Sequence, residues 1–128
     1  MPIDYVVHKD RRLVIITASG RLSAKDIEGR IAQAMVDSDF NPDYDEISDL
    51  RAVTSIDMSM PQTRTLARRK IYSPKSRRAI VASDPAIFGM GRLWGAHAEL
   101  AQDVQIQVFY DLSAALKWLG IPEDSGLF

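Results

Sequence analysis

The sequence has no cysteine, which removes disulfides, thiolate metal sites and a cysteine nucleophile at once. It has only two histidines, His8 and His97, 89 positions apart. A catalytic pair or a histidine metal site would need the fold to join them, and no helix shows paired ligand spacing. No apolar run approaches the ~20 residues needed to cross a bilayer. The opening MPIDYVVHKDRR lacks a basic segment followed by an apolar one, so it does not read as a signal peptide. A cytoplasmic location is expected. Ser19-Gly20 and Ser59 lack the flanking glycines of a hydrolase elbow. Gly89-Met90-Gly91 lacks the third glycine of a phosphate loop. A nucleophile, a base and an orienting group do not occur together, so the expectation is a protein that is not an enzyme and holds no cofactor or metal.

What is present fits one folded unit. The 128 residues, 46% hydrophobic and 26% charged, match an ordinary globular composition and predict a single domain over 1–128. Charge is unevenly spread. Between Met58 and Ser83 lie Arg64, Arg68, Arg69, Lys70, Lys75, Arg77 and Arg78 with no acidic residue. That +7, set against a net −1 for the chain, leaves −8 elsewhere. Such asymmetry points to steering, self-association or an anionic partner. Nucleic acid is disfavoured: Tyr72 is the only aromatic nearby for stacking, and the basic residues do not share one recognition helix.

Taken in order, Asp4–His8 is β-prone, and Lys9-Asp10-Arg11 makes a polar turn. Leu13–Thr17 is apolar on both faces, as a strand covered on both sides should be. Gly20 is expected to close this hairpin. Ser23 starts a helix with Asp26 three residues on, a variant capping box. Ala24, Ile27, Ile31, Ala34 and Met35 should face the sheet, and Lys25, Glu28, Arg30 and Gln33 the water. Asn41-Pro42-Asp43 turns the chain into a strand over Tyr44–Leu50 with one side not deeply buried. A loop through Val53 and Ile56 then leads to a helix over Met60–Tyr72. There Pro61 suits the first turn, and Arg64 and Arg68 share the outer face.

Ser73-Pro74 ends that helix, and Ala79–Ala82 is a second two-sided strand. Asp84-Pro85 opens a third helix, which Gly89 and Gly91 should delay or bend. Those glycines also leave room for a close approach to the sheet. Val104, Ile106 and Val108 alternate with glutamines, marking a half-exposed edge strand. Asp111 caps a last helix that Gly120 and Pro122 terminate. The order β-β-α-β-α-β-α-β-α implies an α/β fold: a four- to five-stranded mixed, mostly parallel sheet with four helices.

The stretch from Asp49 carries a resemblance. The central strand of STAS domains, the fold of bacterial anti-sigma-factor antagonists of stage II sporulation, commonly ends in Asp-Leu-Ser-Gly-Val-Thr-Phe-Ile-Asp-Ser-Ser-Gly. Here the span reads Asp-Leu-Arg-Ala-Val-Thr-Ser-Ile-Asp-Met-Ser-Met, with Asp49, Leu50, Val53, Thr54, Ile56, Asp57 and Ser59 at matching places. The closing FYDLSAALKWLG also resembles the end of small STAS-like proteins. The resemblance implies a regulatory module that binds a protein partner. It also implies a regulatory phosphate on the residue after the aspartate, but Met58 stands there and cannot take one. Ser59 keeps a hydroxyl one position later, at a helix N-terminus near Arg64, where a phosphate would be favoured. Its plainer role is an N-cap.

Two candidate sites result. Asp57, Met58, Ser59, Arg64 and Arg68 would dock a partner, with Ser59 as the candidate phosphorylation site. Phe88, Met90, Leu93 and Trp94 would either be core or line a pocket for an apolar or lipid-like small molecule, while an anionic small molecule, a phosphate or a lipid headgroup, would go to the basic set from Arg64 to Arg78. The CRAL-TRIO lipid-transfer fold resembles this architecture and binds lipids in that way, though this chain is short for its full pocket and gate. His97 reads as a hydrogen-bonded helix histidine. A homodimer through the Val104–Phe109 edge is a further expectation.

Overall fold

A computed structural model describes residues 2–128. β1 (Ile3–His8) and β2 (Leu13–Ser23) form an antiparallel hairpin across a short 3-10 turn at Lys9–Arg11. Arg12 closes the turn in the left-handed region at φ 51°, its N–H donating to the Lys9 carbonyl. α1 (Ala24–Val36), β3 (Asp45–Asp57), α2 (Met60–Ala67), β4 (Arg77–Val81), α3 (Pro85–Ala101), β5 (Gln105–Phe109) and α4 (Leu112–Leu119) follow. The five strands lie in the order β1-β2-β3-β4-β5, and every pair after the hairpin is parallel.

Caps fix the helix starts where the sequence places them. Ser23 and Ser59 each form a reciprocal capping box, with Asp26 and Gln62 as partners. Asp84 and Asp111 accept backbone N–H bonds at the starts of α3 and α4, and Gly120 ends α4 at φ 72°.

Several boundaries differ from expectation. Gly20 does not close the hairpin. It sits inside β2 at φ 68°, between two register irregularities that let the strand run on beside β3. β3 reaches Asp57, so Val53 and Ile56 are strand and not loop. Its extension is held by pairing with the far end of β2, a non-local partner. α2 ends at Ala67 because the following chain leaves the helix to bury Tyr72, which is 6% exposed. α3 begins directly at Pro85 and continues through both glycines. A Cβ at Gly91 would meet Ile80 at 3.3 Å, which is the close approach the glycine permits. Met35 is 63% exposed and does not face the sheet.

The two faces of the sheet are covered differently. α4 seals one face alone. Ala115, Leu116 and Leu119 close over Leu13, Ile15, Ile47, Ala79 and Val81 in a buried apolar cluster, with Leu127 against its edge. Arg77 ties α4 down: its guanidinium donates to the Trp118 and Leu119 carbonyls and pairs with Asp45. α1, α2 and α3 share the opposite face. α2 packs chiefly against α1 and α3 and not on the strands. The sheet beneath is therefore incompletely filled. Among the described residues, no helix is long and apolar enough to cross a membrane.

Candidate functional site

The strand exit is an open surface. Asp57, Ser59 and Met60 are exposed, and Asp57 pairs with Arg21. The Ser59 hydroxyl accepts from the Gln62 N–H at 3.2 Å, and the Gln62 side chain accepts from the Ser59 N–H at 2.9 Å. Arg64, Arg68, Arg69 and Lys70 are exposed, and none forms an ion pair among the described residues. The basic stretch does not act as one patch, however. Arg77 is a structural tie, and Arg78 is buried, 8% exposed.

Behind that surface lies a cavity of about 130 Å³, between the sheet and the three-helix layer. β2 to β5 supply its floor, among them Ile16, Ser48, Ile80 and Ile106, while Ile27 and Ile31 of α1 and Trp94 of α3 form walls. Met58 and Ile71, which flank α2, also line it. Of the apolar candidates, Met90 and Trp94 reach the cavity. Phe88 does not line it; it packs on the adjoining cluster with Leu22 and Val53 and stacks on Tyr110. Leu93 is half-buried outside the lining. Met58, in the place of the phosphate-bearing residue of STAS domains, turns partly inward to the cavity.

One end of the cavity is charged. Glu46 and Arg78 stand opposite each other in the β3–β4 register, both on the cavity side. Arg30 reaches in from α1, so it does not face water as its helical position implies; it is 8% exposed. Its guanidinium donates to Glu46 at 2.8 Å and to the Tyr72 hydroxyl at 2.9 Å. The Ser48 hydroxyl donates to the other Glu46 oxygen at 2.7 Å. Arg78 lies over the Tyr72 ring, 5.1 Å from its centroid.

The ionisation states follow from these contacts. Burial alone would raise the Glu46 carboxyl, but Arg30 and then Arg78 outweigh it and hold it below the usual glutamate range. Arg30 is likewise opposed by burial, yet Glu46 and Tyr72 raise it. For Arg78 burial dominates, and its pKa is lowered despite Glu46. An arginine starts so high that it stays protonated. Burial, then Glu46, pushes Tyr72 well up, so it remains a neutral hydroxyl. Two guanidiniums thus share one carboxylate. The Arg30 Nε and one Arg78 terminal nitrogen are buried without a hydrogen-bond partner. Buried N–H groups are rarely left so, because each forfeits its hydration.

Sequence reasoning missed this cluster. The available signal was strand parity: Glu46 and Ser48 alternate with the fully buried Ile47, and Arg78 directly precedes the apolar Ala79–Val81. His97 also departs from its reading: both ring nitrogens are buried without a partner. Among the described residues no group of three His, Asp or Glu side chains could hold a metal ion.

Solved structures share this architecture, among them two that cover nearly the whole chain. An uncharacterized protein with a SpoIIAA-like fold from Shewanella loihica PV-4 matches with a TM-score of 0.56 at 18% identity, over 91% of each chain. The anti-sigma factor antagonist SpoIIAA in its unphosphorylated form matches with a TM-score of 0.53 at 13% identity, over 93% of this chain and 99% of that one. No protein-family model and no curated protein matches the sequence. At these identities the likeness shows the fold, which is SpoIIAA-like, and so STAS-like as the Asp49–Met60 stretch implies.

Proposed function

We propose that this chain is a non-enzymatic regulatory module that docks an acidic protein surface on the face formed by Asp57, Met58, Ser59 and α2. The observation that carries the reading is four exposed cationic side chains, Arg64, Arg68, Arg69 and Lys70, with no acidic partner among the described residues, beside an exposed helix start. Cations left unpaired on a surface steer an oppositely charged partner and speed its approach. The SpoIIAA-like fold supports a role of this class. Ser59, exposed between Met58 and Met60, is the hydroxyl a regulatory phosphate would use. A pull-down comparing the wild type with Arg64→Glu/Arg68→Glu tests the reading. A partner retained by the wild type and lost by the double variant supports it; identical recoveries, or none, count against it.

A second reading rests on a different observation, the cavity under α2. Its apolar walls and unpartnered guanidinium N–H groups have the makeup of a small-molecule site: mostly apolar, with a few fixed polar groups. In this reading the module binds a small ligand behind its docking face. Saturating the protein with a ligand that fits should raise its melting temperature by mass action. A screen of small apolar and amphipathic compounds with no shift would remove the reading.

A further inference from the structure

Resting on the ligand-binding reading, we propose that the cavity binds a small monocarboxylate with a compact apolar body, its carboxylate held by Arg78 and Arg30. Charge sets the sign. The charged groups lining the cavity are Arg30, Arg78 and Glu46, which leave one uncompensated positive charge in a buried site. A monoanion neutralises it, whereas a cation or a dianion would restore an imbalance. Chemistry sets the group. Arg30 and Arg78 line the cavity with planar guanidiniums, a geometry that carboxylates satisfy with paired, charge-assisted hydrogen bonds. The two nitrogens without a partner are themselves enclosed, and a small side-chain shift brings them to the ligand. Ser48 and Tyr72 are already engaged with Glu46 and Arg30, so the ligand needs acceptors rather than donors.

Size sets the body. The cavity volume of about 130 Å³ is close to the ~150 Å³ of an engineered apolar cavity known to take benzene. That holds a phenyl ring or a chain of about six carbons. The cavity is half open, so a longer chain would have to leave through its mouth and gain no further enclosed contact. Ile16, Ile27, Ile80 and Trp94 would surround this body. The lipid expectation raised by the CRAL-TRIO resemblance is thereby narrowed to short acids.

The test is calorimetric titration of the full chain with benzoate, hexanoate, palmitate and benzyl alcohol, the last a neutral analogue of benzoate. Benzoate and hexanoate should bind at least about tenfold more tightly than benzyl alcohol, which lacks the charge-assisted bond, and more tightly than palmitate, whose chain outgrows the cavity. Arg78→Met should weaken benzoate by about tenfold or more, leave benzyl alcohol within about twofold, and hold or raise the melting temperature, since it removes a poorly paired buried charge. A purely structural arginine would lower the melting temperature instead. Arg78→Lys, which keeps the charge without the planar fork, should retain part of the benzoate affinity. Equal binding of benzoate and benzyl alcohol overturns the carboxylate assignment while the pocket stands. Palmitate binding as tightly as hexanoate overturns the size limit. No binding by any of the four overturns the ligand-binding reading itself.

Discussion

The two faces of the sheet are built from the same strands and do opposite things. On the α4 face Leu13, Ile15, Ile47, Ala79 and Val81 of β2, β3 and β4 pack against one helix, and Ile47, Ala79 and Val81 are fully buried. Further along the same strands Thr17, Asp49 and Arg51 lie beyond the helix and border an open hollow. On the other face the even-numbered residues meet three helices, α2 resting on its neighbours, and Glu46 and Arg78 are buried beside a cavity. A buried charge is costly unless paired, and an unfilled cavity forfeits contacts. One face therefore stabilises the fold, and the other holds structure that stability alone does not call for. That difference supports the proposed ligand site more than any single residue does.

The largest expected effect comes from removing the shared anion. Glu46→Gln leaves Arg30 and Arg78 without a counter-charge and should cost about 3–5 kcal/mol in urea unfolding. Glu46→Gln/Arg30→Met should recover part of that loss, because the two positions couple. The same carboxylate gives a pH signature. Its folded pKa lies below the unfolded value, so its contribution is complete above the ordinary glutamate pKa and is lost as pH falls through the folded one. Asp26 and Asp49 are lowered too and act in the same direction, Asp26 through the Ser23 backbone N–H and Asp49 through Arg51 against the opposing effect of burial. The acid-side decline in stability should therefore be shallower in Glu46→Gln than in the wild type, without vanishing.

The next effect compares the faces directly. Ile47→Ala, in the closed cluster, should cost about 2–5 kcal/mol. Ile80→Ala, whose side chain already borders empty space, should cost about 1–2 kcal/mol, having fewer contacts to lose. Equal losses would erase the distinction between the faces. A smaller effect is expected at the surface helix start: Ser59→Ala should cost about 1 kcal/mol and Ser59→Asp much less, since aspartate also caps. The smallest has the opposite sign. Gly89 is exposed within α3 and a Cβ there meets nothing within 4 Å, so Gly89→Ala should stabilise by about 0.5–1 kcal/mol.

The frame was readable in the sequence because its signals are local. Ser23 with Asp26, Ser59 before Pro61, Asp111 and Gly120 each mark a helix end by hydrogen bonds within a few residues. The edge character of β5 showed in its alternating glutamines, and the order of elements followed from them. The cavity cluster was not readable, because its bonds join Arg30 to Glu46 and to Tyr72, 16 and 42 positions away. Helical spacing alone sends Arg30 to water; only the tertiary partners bring it in. The length of β3 was hidden for a related reason. Residues Arg51–Asp57 look like a polar loop until β2 bends past Gly20 to pair with them. The Asp49–Met60 stretch points to the right fold; the buried charged groups Glu46 and Arg78 lie at the opposite ends of β3 and β4 from that strand exit.

Isoleucine methyl groups report both faces in one experiment. Ile16, Ile80 and Ile106 line the cavity, while Ile15 and Ile47 sit in the α4 cluster. In a methyl-labelled sample titrated with benzoate, the first three resonances should shift in a saturable way and the last two should stay in place. Shifts in Ile15 and Ile47 equal to those in Ile80, or no saturable shift in any of the five, would contradict the account.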